Sequence, residues 1–96
     1  MQREYPLHIR VNDRLIQRLL IDPHYEVRHS RSMNDFIILG IVKTLNGGIF
    51  EYERVTAAGW QIYVNDPQYL KSRPYRLIWC LHPDEGDLGV INAFRR

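Results

Sequence analysis

The chain has 96 residues, 45% apolar and 25% charged, which supports one small folded domain over 1–96 and excludes a disordered chain. A single cysteine, Cys80, excludes an internal disulfide framework and a thiolate-rich zinc site; with no membrane-length apolar run and no secretory signal at Met1-Gln2-Arg3-Glu4-Tyr5-Pro6, the expected location is the cytoplasm, away from membranes. The formal net charge of +2 is too balanced to announce a nucleic-acid binder by itself.

Leu7, Ile9 and Val11 alternate with His8 and Arg10, which predicts a short strand. Asn12 then reads as an N-cap, with Asp13 in the positive first turn of a helix. Leu15, Ile16, Leu19 and Leu20 recur at helical spacing, and Asp22-Pro23 ends that helix. Tyr25, Val27 and His29 alternate with Glu26, Arg28 and Ser30, which predicts a second short strand. Ser32 reads as the N-cap of a further helix, with Asp35 at N3 as a capping-box variant. That helix runs from Met33 to Leu45, apolar on most of its circumference, and Asn46-Gly47-Gly48 stops it.

After Gly48 the period changes from helical to alternating. Four strands are predicted: Ile49–Val55, Trp60–Asn65, Tyr75–His82 and Leu88–Arg95. Pro83-Asp84-Glu85-Gly86-Asp87 predicts an antiparallel hairpin between the last two, while Asp66–Pro74 is a longer excursion carrying Lys71 and Arg73. The expected fold class is α+β: two N-terminal helices, with short strands, packed on a four-stranded antiparallel sheet.

Among the basic residues, all but Lys43 and Lys71 are arginine. Arginine matches phosphate bidentately and stacks on bases. His8, His24, His29 and His82 are the candidate general acid/base groups; no pair has the i, i+4 spacing of a helical metal site, so neither metal nor cofactor is expected. Cys80 lies within Leu77-Ile78-Trp79-Cys80-Leu81 and reads as core. His29 stands out. It precedes a helix start and is flanked by Arg28, Arg31, Ser30 and Ser32, which together would suit a phosphate. The alternative is a half-buried strand residue beside a solvated arginine edge.

In the last strand Val90, Asn92 and Phe94 are expected on one face and Ile91, Ala93 and Arg95 on the other. Asn92 needs a partner or a purpose in an otherwise apolar run. Antiparallel pairing of the last hairpin places Arg76 near Phe94 or Arg95, which gathers arginines and aromatic rings at one end of the sheet.

Arg28-His29-Ser30-Arg31-Ser32-Met33, the following helix, the Gly stop, Gln61-Ile62-Tyr63-Val64, Tyr75-Arg76-Leu77-Ile78-Trp79 and Val90-Ile91-Asn92-Ala93-Phe94-Arg95 together resemble RelE/BrnT-like (BECR-type) ribonuclease toxins over residues 25–96. Members of that superfamily cut RNA without a metal. The resemblance implies a toxin-type endoribonuclease whose RNA substrate forms a 2′,3′-cyclic phosphate. It implies His29, Arg76, Asn92 and Arg95 as catalytic residues, and Arg28, Arg31, Tyr63 and Phe94 as substrate-binding residues. Asn92 stands where such toxins carry Ser, and Phe94 where they carry Arg. Expected partners are RNA and a neutralising antitoxin or immunity protein, with sheet edges that could pair two copies. The rival reading is a non-catalytic protein-binding module, antitoxin-like or an anti-defence inhibitor, whose acidic hairpin tip at 84–87 suits a basic partner.

Overall fold

The computed structural model describes residues 2–96. It is a six-stranded mixed sheet with two short helices. The strands are β1 (Arg3–Val11), β2 (Arg14–Ile21), β3 (Arg54–Val55), β4 (Gln61–Leu70), β5 (Arg73–Leu81) and β6 (Asp87–Arg95), and the helices are α1 (Glu26–His29) and α2 (Asp35–Lys43). The strand order is β1-β2-β6-β5-β4-β3. Only β2 and β6 run parallel. The expected pair of N-terminal helices on a four-stranded antiparallel sheet is therefore overturned.

The largest correction is β2, where a helix was expected. Asn12 and Asp13 adopt φ 53° and 59°, the left-handed pair of a type I′ hairpin turn. Asn12 thus turns the chain instead of capping a helix. Its side chain also accepts from the Phe50 N–H at 2.6 Å and donates to the Tyr63 hydroxyl at 3.0 Å. The helical spacing of Ile16 and Leu19 has a different cause. β1 keeps Leu7, Ile9 and Val11 on the core, and the register slips between Pro6 and Ile9. The slip switches β2 from even to odd core positions, so Ile16 and Leu19 are both buried although three apart.

The strand expected at 25–30 is a 3-10 turn, Pro23–Tyr25, followed by the single turn of α1. Asp22 caps it by accepting from the His24 N–H, and Pro23 fits the first turn. Tyr25 is buried, but Val27 is 77% exposed, so the alternation did not mark a core face. α2 is capped by Asn34, not Ser32, through a 2.8 Å bond from the Ile37 N–H. Its Ile38, Ile41 and Val42 pack with Leu77, Trp79 and Tyr63 to form the core. Gly47, at φ 83°, turns the chain away after the helix.

Of the strand expected at 49–55, only Arg54–Val55 pairs. The expected excursion at 66–74 is instead the far end of the β4–β5 hairpin. Its turn, Lys71-Ser72, holds φ 51° and 67° without the Asn or Gly such turns favour. In β6 the register slips opposite Ile78 and Trp79, leaving Ile91 as the extra residue. Val90 therefore faces the core, while Asn92 and Phe94 lie on the opposite face. The grouping of all three on one face is corrected by this bulge.

One carboxylate joins three elements. Asp35, in the first turn of α2, accepts from Arg3 and Tyr5 of β1 and from Tyr25 before α1. The Arg3 guanidinium, helped by the two hydroxyls, holds the Asp35 carboxyl down to about 2. Burial and the bond to Asp35 push the Tyr25 hydroxyl up to about 12.

A depressed carboxyl stabilises the fold above its unfolded pKa and loses that contribution as pH falls through its folded one. Asp35 should therefore contribute about 1–2 kcal/mol, after allowance for its partial exposure, that is lost from about pH 4 down to about pH 2. Urea unfolding across that range should show the slope in the wild type and a flatter one in Asp35→Asn. Ser72→Gly should raise stability by about 0.5–1 kcal/mol, because glycine accepts the left-handed φ freely. A thermal melt followed by circular dichroism checks the sign.

Candidate functional site

The parallel pairing of β2 with β6 covers only Arg18–Ile21 against Asp87–Val90. Beyond it the chain leaves β2, and the Asp22 N–H still donates to the Val90 carbonyl at 3.0 Å. The 3-10 turn and α1 then lie beside the second half of β6. A cleft of about 30 Å3 opens there, lined by His24, Val27, Arg28, His29 and Asn92. It has room for little more than one water-sized group, so it suits one reacting group of a larger ligand lying across it.

The His29 imidazole is half-buried and stacks on Phe94, with centroids 4.8 Å apart and rings 21° from parallel. Phe94 is the register partner of Arg76, and Asn92 that of Ile78. The expected adjacency of Arg76 and Phe94 is thus present. Asn92 Oδ1 accepts from the Ala93 N–H at 2.9 Å, and its amide nitrogen has no protein acceptor among the described residues. That amide is free to donate into the cleft.

Arg76 is already engaged. Its Nη1 binds Asp66 Oδ2 at 2.9 Å, and Arg96 Nε binds the same carboxylate at 3.0 Å. The Arg96 guanidinium carbon also lies 5.9 Å from the Phe94 centroid. Arg76 therefore acts as one half of a clamp that fixes the chain end beside Phe94. Arg95 pairs in register with Tyr75 and is exposed. Arg28, Arg31 and Arg95 make no ion pair among the described residues.

Two expected placements do not hold. Tyr63 is 2% exposed, stacked on Trp79 at 4.2 Å and bonded to Asn12. It belongs to the core on the helix side and is not part of the His29 cleft; it borders a separate depression with Asn12, Arg14, Phe50 and Tyr52. The helix start after His29 offers no anion site either, because Asn34 caps α2 and Asp35 brings its own carboxylate there. His24, an acid/base candidate by residue type, was not expected beside His29. A five-residue spacing from His29 is wrong for one helical face, yet the 3-10 turn followed by α1 makes both residues part of the lining of one cleft. Asp22-Pro23, read as a stop, is the start signal of that turn.

His82 and Cys80 have structural roles. His82 bonds the Ala58 carbonyl and the Asp84 N–H and packs edge-on to Trp60. Burial pushes the Cys80 thiol up to about 11, which keeps it protonated and unreactive. No group of three His, Cys, Asp or Glu among the described residues is placed to hold a metal ion. Among the described residues no helix is long and apolar enough to cross a membrane. No family model, curated protein or solved structure matches the chain.

The stack on Phe94 should be visible in solution. The ring current of Phe94 should shift the His29 imidazole protons upfield in the wild type. Phe94→Ala should return them toward free-histidine values and cost about 0.5–1.5 kcal/mol of stability beyond the lost area. Unmoved proton shifts in a folded variant would mean that the rings do not stack.

Proposed function

We propose that the protein is a metal-independent endoribonuclease of the toxin type, working in the cytoplasm, with RNA as substrate and a neutralising protein as partner. The observation that carries this reading is the pairing of His24 and His29 in one cleft with the free amide of Asn92. Two imidazoles supply what RNA transesterification needs: a base for the 2′-OH and an acid for the leaving 5′-oxygen. The 2′-oxygen attacks the adjacent phosphorus, the bond to the 5′-oxygen breaks, and a 2′,3′-cyclic phosphate remains. Asn92 Nδ2 and Arg28 donate to the non-bridging oxygens as charge builds on them. Exposed Arg31 and Arg95 hold neighbouring phosphates, and the Phe94–His29 stack offers an aromatic edge beside the base. The resemblance of residues 25–96 to RelE/BrnT-like toxins supports the same chemistry.

In this reading His29 and His24 carry the proton transfers and Arg76 is a positioning residue, acting through Asp66 and Arg96. The experiment incubates wild-type, His29→Ala and His24→Ala protein with total RNA in EDTA. Product ends are analysed for cyclic phosphate, and circular dichroism checks the fold of each variant. The wild type should cleave, with a bell-shaped pH profile, and each variant should lose about a hundredfold or more. Intact RNA from folded wild-type protein would overturn the proposal and favour the non-catalytic binding module.

A further inference from the structure

A second concavity lies on the helix side of the sheet. α2 and the tip of the β4–β5 hairpin wall a groove of about 430 Å3. Its floor is apolar, formed by Leu39, Gly40, Leu70 and Tyr75, and Phe36 stands at its margin, 85% exposed. Lys43, Lys71 and Arg73 line the same groove. These include both lysines of the chain. None of the three pairs with a carboxylate among the described residues.

Two departures from local preference fall on this groove. Gly40 sits inside α2, where alanine is the better helix former. A Cβ at that position would meet Leu70 Cδ2 at 3.1 Å, so the glycine lets the helix and hairpin approach closely. Lys71 holds φ 51°, where Asn or Gly would be less strained. The side chain kept there is a cation over an apolar floor.

We propose that this groove binds a monomeric amphiphile with one aliphatic tail and one carboxylate, of the medium-chain fatty-acid class. The tail lies along Leu39, Leu70 and Tyr75, and the carboxylate meets Lys43, Lys71 and Arg73. The volume is in the range of small-molecule pockets, roughly 300–1,000 Å3. Three cations without internal partners select an anion over a cation of equal tail. The proposal is independent of the ribonuclease reading and uses none of its residues.

Isothermal titration of the full chain with decanoate, below its micellar concentration, tests it. One saturable site is expected, with a Kd on the order of 100 µM. Decyltrimethylammonium should bind at least about tenfold more weakly, and so should decanoate to Lys43→Glu/Arg73→Glu protein. Equal binding of the cationic amphiphile would reduce the groove to a greasy surface and overturn the proposal. So would absence of monomer binding, whether or not the protein then adheres to phosphatidylglycerol vesicles or to an acidic peptide. The wild-type comparison of the two amphiphiles decides the matter even if the double variant fails to fold.

Discussion

The short parallel overlap of β2 with β6 is the constraint on which the rest of the structure depends. β6 is central, flanked by β2 and β5. It runs to Arg95, yet β2 accompanies it only as far as Val90. The second half of β6 would otherwise present an open edge within the sheet. The 3-10 turn and α1 occupy that place. Their position follows from where β2 ends, because the chain that leaves β2 next joins the sheet at β3, on its far edge. His24 and His29 reach Asn92 and Phe94 because the chain must pass there, with Tyr25 between them buried as the anchor.

Asp35 secures the other side of that passage. A carboxylate with an arginine and two tyrosines around it is well supplied with donors. Because Arg3 and Tyr5 come from β1 and Tyr25 precedes α1, the start of α2 cannot drift relative to the hairpin or the cleft. The same geometry explains why α2 begins at Asp35. Asn34 satisfies one free N–H of the first turn, and Asp35 complements the positive end of the helix while serving the three donors.

The parts of the fold legible in the sequence were those in which a single local rule had no competitor. α2 and the β5–β6 hairpin follow from apolar periodicity and from the turn-rich 83–87 loop. With that hairpin came the adjacency of Arg76 and Phe94. β2 was obscured because Asn-Asp serves equally as a helix cap or as a left-handed turn. The register slip then placed Ile16 and Leu19 at a helical interval. The Lys71-Ser72 turn carries no turn signal at all, since neither residue favours positive φ. Arg28, His29 and Asn92, singled out by type and position, line one cleft, and Phe94 stacks on His29. Tyr63 was misplaced because alternation tells that a strand has two faces, not which of them is covered. The nearness of His24 to His29 was not legible because it exists only in a 3-10 turn that continues into α1.

The net charge of +2 conceals a separation of charge along the sheet. Arg3, Arg18, Arg76 and Arg96 are spent on Asp35, Glu26, Glu4, Asp87 and Asp66. What remains is divided by topology. The β1–β2 and β5–β6 turns share one end, as the bond from Arg14 to the His82 carbonyl requires. Asp13, Asp84 and Glu85, which make no ion pair among the described residues, lie there, with Arg10 and Arg14 among them. At the other end, where β5 starts and β6 finishes, stand Arg28, Arg31, Lys71, Arg73 and Arg95, with Asp22 held in its capping turn. Alternation along β5 then divides this end between two faces. Tyr75 lines the groove beneath α2, and Arg76 lies on the other face, opposite Phe94 and bound to Asp66. A modest overall charge is thus compatible with a strongly cationic end, because antiparallel pairing gathers residues from distant parts of the chain.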